Sequence, residues 1–307
     1  MLDFKEIKIE DRDLLNRFFY AYGGDSCQHF FPAAFCLKGK YGEWYAIEDG
    51  FLYILRENRC TEKERSYMFP MGDATDTDAV KRAVEAVLQD AHEHGKRMRF
   101  DVVTGHEKDI LTGIFGDGFE ITESRDMAEY IHSVQKLIEL PGKHLRNRRY
   151  AVKAFFRDYG EVCTVEKMCP DHFDDVLKLQ KQWYVSATGE LDDRQLDHED
   201  DEIRLGLEYF DELGLSGCVV YVGGVLAGFA YGAKVSKDCY DIIAEKVIRS
   251  YRHIYPVLNH EMAKMCQEEY QWINWEEDLG DEGLRTMKMG YKPERMLYKY
   301  IVTEKIK

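Results

Sequence analysis

Apolar residues along this 307-residue chain fall into period-two and helical spacings that alternate in a repeated order. Residues 43–48 and 51–55 form two apolar-rich runs around Asp49-Gly50, the signature of a hairpin closed by a two-residue turn. The pattern returns between the runs 218–222 and 225–231, at Gly223-Gly224, 174 positions after Asp49. Strand-like stretches follow at 67–71 and 240–247. Each is succeeded by a segment with a helical apolar stripe: Val80, Val84, Val87, Leu88 and Ala91 in the first copy, and Val257, Leu258, Met262, Met265 and Cys266 in the second. Further pairs keep nearly the same offset. Phe100-Asp101 matches Ile273-Asn274 at 173, Gly118-Phe119 matches Gly290-Tyr291 at 172, and Tyr130-Ile131 matches Tyr300-Ile301 at 170.

A period this long marks a duplicated domain, since solenoid units repeat every ~20 to 50 residues. Each copy reads helix, helix, hairpin, strand, helix, strand, helix, strand, an α/β order with a mixed sheet. The expected division is residues 1–135 for the first repeat, a basic linker helix at 136–160, and 161–307 for the second repeat. The second copy opens on a helix near Asp171, with Phe173, Val176, Leu177, Gln180 and Tyr184 at helical spacing. Residues 188–201 are so rich in charge that a surface loop or lid is expected there. Between the copies lies the most basic segment, residues 143–157. As a helix it gathers Arg146, Arg149, Lys153 and Arg157 on one face and Val152, Phe155, Phe156 and Tyr159 on another.

Charge and composition narrow the function. A formal net charge of -15 argues against indiscriminate binding to nucleic acid or anionic membrane, which needs clustered Lys and Arg. Residues 1–13 lack the apolar core of a signal peptide, and no run approaches the ~20 apolar residues that span a bilayer. A cytoplasmic, monomeric protein is the expectation. The eight cysteines form no C-x-x-C pair, and His92 and His94 stand on different helix faces, so no metal site is assigned and most cysteines are expected to be buried thiols. Serine-hydrolase, Walker and dinucleotide signatures are missing.

Two blocks carry a family resemblance. Residues 140–150, LPGKHLRNRRY, with Phe155 beyond them, and residues 273–285, INWEEDLGDEGLR, with Lys288, Tyr291 and Pro293, resemble the C-terminal catalytic domain of bacterial phosphatidylglycerol lysyltransferases. The likeness extends over nearly the whole chain. It implies two tandem GNAT folds (acyl-CoA N-acyltransferase-like, α/β with mixed sheets flanked by helices). It also implies an activity that moves an aminoacyl group from aminoacyl-tRNA to a lipid, or to a peptide as in the related peptidoglycan peptidyltransferases. The lipid-modifying members carry N-terminal membrane helices and no such run occurs here, which leaves the acceptor open.

The second block follows a strand, where α/β sheets bind ligands. Its carboxylates can hold the ammonium of an aminoacyl donor or take the proton of an attacking amine. Glu276 and Asp278 are the catalytic candidates, with Asn274 and Tyr291 binding substrate. Asp281 and Glu282 read instead as acidic residues favoured at a helix N-terminus. Arg285 and Lys288 share a helix side. Lys288 can polarise the ester carbonyl and Arg285 can bind substrate, or both can be surface cations. Arg146, Arg149 and Lys153 read either as a track for the acceptor stem of tRNA, with Tyr150 stacking on a base, or as a solvated helix face. Where GNAT enzymes bind the pyrophosphate of acetyl-CoA, this chain has RSYRHIYP (249–256) with no glycine. That points away from acetyl-CoA and towards aminoacyl-tRNA as donor, with Arg249 and Arg252 as phosphate contacts. A catalytically silent module that binds an aminoacylated or peptide ligand is the competing reading.

Overall fold

A computed structural model describes residues 2–57, 65–188 and 193–305; the side chains of residues 40, 41 and 184–200 also lie outside the description. The first repeat contains β1 (Lys5–Glu6), α1 (Arg12–Tyr22), α2 (Phe31–Cys36), α3 (Lys38–Tyr41), β2 (Glu43–Glu48), β3 (Phe51–Glu57), β4 (Arg65–Tyr67), α4 (Thr77–Glu93), β5 (Arg99–Thr104), α5 (Gly105–Phe115) and β6 (Phe119–Ser133). Then come α6 (Val134–Glu139), α7 (Arg146–Tyr159) and β7 (Cys163–Lys167). The second repeat contains α8 (Phe173–Thr188), α9 (Asp193–Glu208), β8 (Ser216–Val222), β9 (Val225–Lys234), β10 (Cys239–Val247), α10 (Ile254–Cys266), β11 (Trp272–Asn274), α11 (Glu282–Gly290) and β12 (Arg295–Glu304). Both hairpins form at their expected turns.

The chain makes two compact units, and they do not follow the linear order of the repeats. One comprises Met1–Glu129, Glu277–Asp281 and Met296–Lys307; the other comprises Tyr130–Glu276 and Glu282–Arg295. The first unit has strand order β1-β2-β3-β4-β5-β12-β6, so the last strand of the chain pairs antiparallel with β5. The second has β6-β11-β10-β9-β8-β7, using only the end of β6, where His132 faces Ile273.

In the first unit the stripe of α4 (Val80, Val84, Val87, Ala91) packs on Tyr53, Leu55, Tyr67, Phe100 and Val302, the core-facing positions of four strands. Asp76 caps α4 by accepting from the Ala79 amide, and Thr104 and Glu107 cap α5 reciprocally. In the second unit Val257, Leu258, Met262 and Cys266 of α10 are buried, as are Ala151, Val152, Ala154 and Phe155 of α7. The basic segment is therefore a packed helix of this unit, although Phe156, expected on its apolar face, is exposed.

The expected loop at 188–201 is corrected. Thr188 still belongs to α8, residues 189–192 lie outside the described residues, and α9 begins at Asp193. Nine of its sixteen residues are the good helix formers Glu, Leu, Arg or Gln, which offset its four Asp, and buried Ile203 and Leu207 anchor its C-terminal turns. Cys27, Cys36, Cys218, Cys239 and Cys266 are buried, Cys163 and Cys169 are partly so, and Cys60 lies outside the described residues.

Candidate active site in the second unit

The second unit opens where two parallel strands part. β10 and β11 pair only from Cys239↔Trp272 to Asp241↔Asn274, after which β11 ends and β10 runs on to Val247. A β-bulge between Ile242 and Ala244 bends β10 on its other side, against β9. The close approach requires a glycine: a Cβ on Gly232 would stand 1.7 Å from the Asp241 carbonyl oxygen. The split thus opens at the C-terminal end of β11, alongside the unpaired remainder of β10, the kind of position where α/β sheets bind ligands.

Glu245 projects from β10 beyond the split. Burial pushes its carboxyl up to about 7, against the pull of Lys288 and Lys246, and its Oε1 has no hydrogen-bond partner among the described residues. Lys288, on α11, is 8% exposed and donates from Nζ to the Trp275 carbonyl at 2.5 Å. The same ammonium stands 5.7 Å from the Tyr130 ring centroid. Behind it the rings of Trp275 and Tyr291 meet edge to face at 4.8 Å, and His132 lies 4.1 Å from Trp275. His132 is fully buried, neither ring nitrogen has a partner among the described residues, and burial followed by Lys136 and Lys288 lowers its pKa to about 3. It is a neutral ring at physiological pH.

A cavity of about 250 Å³ adjoins the end of β10, lined by Leu179, Gln182 and Trp183 of α8 and by Val247, Ile248, Arg249 and Ser250. Lys246 Nζ stands 3.8 Å from the Trp183 ring centroid. Tyr255 connects this cavity to Glu245: its hydroxyl bonds with Trp183 and Arg249, and its pKa is raised by burial and then by Glu245. The arrangement combines a carboxyl able to change protonation near neutrality, a buried cation and an aromatic cavity ending in a guanidinium.

The residues singled out in the sequence divide into three groups. Asn274, Glu276, Lys288 and Tyr291 belong to this unit's split-strand end. Asn274 is fully buried and its Oδ1 accepts the Glu276 amide at 2.7 Å, which shapes the turn that leaves Glu276 at φ +54°. Tyr291 lies under the Arg148 guanidinium at 4.7 Å, bonds to Asn259, and is pushed up to about 12 by burial. Arg285 is half-buried on α11, and Arg249 lines the cavity. Arg146, Lys153 and Arg252 are exposed, whereas Arg149 donates to the carbonyls of Leu140 and Gly142 and so closes the end of α6. Asp278 belongs to the first unit, fully buried, paired with Arg125 at 3.2 Å and accepting the Gly280 amide at 2.9 Å. Glu245, His132, Trp183 and Tyr255 were not anticipated. The one available signal was a lone carboxylate in the apolar strand CYDIIAEKV after Asp241.

Residues 22–303 match the sequence model of the family described as phosphatidylglycerol lysyltransferase, C-terminal. The chain belongs to this family. Among solved structures it is similar to a conserved protein of unknown function from Bacteroides thetaiotaomicron, at 27% identity and TM-score 0.91, covering 99% of this chain and 100% of that one. It is also similar to the C-terminal domain of a putative lysylphosphatidylglycerol synthetase from Agrobacterium fabrum (17% identity, TM-score 0.67, 97% and 92% covered). A tandem GNAT protein from the clavulanic acid biosynthesis pathway shares the fold at 10% identity and TM-score 0.54, with 99% and 98% covered. A search of curated proteins by sequence finds no significant match. The family is thus that of the phosphatidylglycerol lysyltransferase C-terminal domain, and the fold is the tandem GNAT-like one. Among the described residues no helix is long and apolar enough to cross a membrane.

Proposed function

We propose that the second unit transfers an aminoacyl group from aminoacyl-tRNA to an amine or hydroxyl acceptor on a lipid or peptide, at the split between β10 and β11. The carrying observation is Glu245, a carboxyl that burial holds near the protonation midpoint at neutral pH beside the ammonium of Lys288. As a carboxylate it takes the proton from the acceptor's N–H or O–H, and the nucleophile forms the new bond to the ester carbonyl carbon. The ester C–O bond then breaks, and the leaving hydroxyl of the tRNA recovers a proton from Glu245. Lys288 fixes the Trp275 carbonyl and adds positive charge near the developing oxyanion, while Glu276 offers a carboxylate to the donor's ammonium. Arg249 and Arg252, with Arg146 and Lys153 on α7, supply cations for the tRNA phosphates.

Acetyl-CoA is the alternative donor, with a thioester C–S bond breaking in the same scheme. The test is incubation with labelled aminoacyl-tRNA and, separately, labelled acetyl-CoA in a lipid- and peptide-containing extract. Label transferred from aminoacyl-tRNA, and reduced about 10²- to 10⁴-fold by Glu245→Gln, is the expected result. Transfer from neither donor would instead leave a binding module.

A further inference from the structure

The first unit holds a separate polar cavity that the transfer scheme does not use. Its origin is strand alternation. Tyr67, Phe100 and Val302 face the apolar core, so their neighbours Ser66, Arg99 and Asp101, together with Arg56 and Lys299, fall on the opposite face of the same sheet. Arg56, Ser66, Arg99, Asp101, Ser124 and Lys299 line a cavity of about 260 Å³ there. The volume equals the liquid share of about nine waters, below the ~300 to 1,000 Å³ of drug-sized sites.

Two of its cations are deeply buried and already matched. Arg56, 6% exposed, meets Glu43 at 3.0 Å, and fully buried Lys299 meets Glu129 at 2.5 Å and donates to the Ser26 hydroxyl. Glu129 is held in turn by the Ser26 hydroxyl and the Cys27 amide, both at 2.9 Å. Ionic groups buried this way give up their hydration, and here carboxylate partners and hydrogen bonds replace it, so the charges at this cavity are held in fixed places. Arg99 differs. It bonds to Asp101 only through Nε, at 2.7 Å, and neither of its terminal nitrogens is engaged among the described residues. The hydroxyl-bearing Ser66 and Ser124 line the same cavity. The wall is strained as well. One extra residue of β5 opposes β12 between Phe100 and Val103, and Val102 takes φ +51°, a left-handed conformation that β-branched residues rarely adopt. Strain of this kind gathers at ligand sites.

We infer that this cavity is a binding site for a small oxyanion-bearing molecule, a carboxylate or phosphate monoester, gripped by the terminal nitrogens of Arg99 and by the hydroxyls of Ser66 and Ser124. A guanidinium with both terminal nitrogens presented makes the bidentate contact that carboxylates and phosphates share. Arg56 and Lys299 stay paired with Glu43 and Glu129 and frame the cavity without adding net charge, so the anion is held by Arg99 and the two hydroxyls.

The test is calorimetric titration of the full chain with inorganic phosphate, glycerol phosphate and succinate in separate arms, for wild type, Arg99→Ala, Ser66→Ala/Ser124→Ala and Arg146→Ala/Lys153→Ala. Saturable binding of at least one probe is expected, weakened tenfold or more by Arg99→Ala and several-fold by the serine pair, and unchanged by the α7 pair. The arm that binds identifies a phosphate or a carboxylate as the ligand class. Circular dichroism melts keep the variants interpretable, because Arg99 is partly exposed and its loss should leave the fold intact. No saturable binding by any probe up to about 10 mM, or equal affinity in Arg99→Ala, overturns the inference. Neither outcome touches the transfer reaction, which is read from label.

Discussion

Replacing Glu245 by Gln should stabilise the protein above neutrality while slowing its proposed chemistry. In the folded chain burial raises this carboxyl from 4.5 to about 7. Below pH 4 the group is protonated in both folded and unfolded states, so it contributes nothing to the pH dependence of stability. Between 4.5 and 7 the unfolded chain ionises while the folded chain holds its proton, and the folded state loses ground by 1.36 kcal/mol for each pH unit. Above pH 7 the accumulated penalty reaches about 3 kcal/mol, an upper value because residual structure in the unfolded chain reduces it. Gln keeps the shape and cannot ionise. Urea unfolding at pH 4, 5.5, 7 and 8.5 should give Gln minus wild-type differences that start near zero and grow towards about 2 to 3 kcal/mol. Glu43, raised to about 7 by burial against the pull of Arg56, acts with the same sign in both proteins and cancels in the difference. A difference that does not change with pH would show that the Glu245 carboxyl is not raised by burial.

Lys288→Met should destabilise the chain by about 1 to 3 kcal/mol through loss of the bond to the Trp275 carbonyl. Because Lys288 pulls the Glu245 carboxyl downward, the same variant should move the acid limb of the transfer rate to higher pH, seen in a pH profile of kcat/KM. Gly232→Ala places a methyl group against the Asp241 carbonyl and should cost more than about 3 kcal/mol or prevent folding, checked by thermal melting; a wild-type Tm contradicts the need for this close approach. Arg252→Ala and Lys153→Ala together should lower the slope of log K against log salt for tRNA binding by about 1 to 2, measured by filter binding, whereas an unchanged slope removes these cations from the phosphate contacts.

The order of elements was legible because each depends on local periodicity: both hairpins, the stripes of α4 and α10, and the α8 start all stand where spacing puts them. Which strand pairs with which was not. β6 and β12 read alike in the sequence, and only tertiary packing decides that β12 lies beside β5 while the end of β6 lies beside β11. The α9 helix was hidden by charge, since its anchors Ile203 and Leu207 occur only in its final turns. At the candidate site, sequence resemblance singled out Lys288, Asn274 and Tyr291, but the partners that define their surroundings come from distant segments: Tyr130, Asn259 and Arg148. Glu245 escaped notice because desolvation, the cause of its perturbed carboxyl, depends on neighbours a strand pattern does not reveal.

Proton transfer to Glu245 should accompany acyl transfer in the second unit. Single-turnover transfer from labelled aminoacyl-tRNA, followed from pH 5 to 9 in wild type and Glu245→Gln, tests it most directly. The wild-type rate should rise through an apparent pKa near 7, and the variant should be slow with its acid limb gone. A variant that retains both the wild-type rate and its pH profile contradicts it.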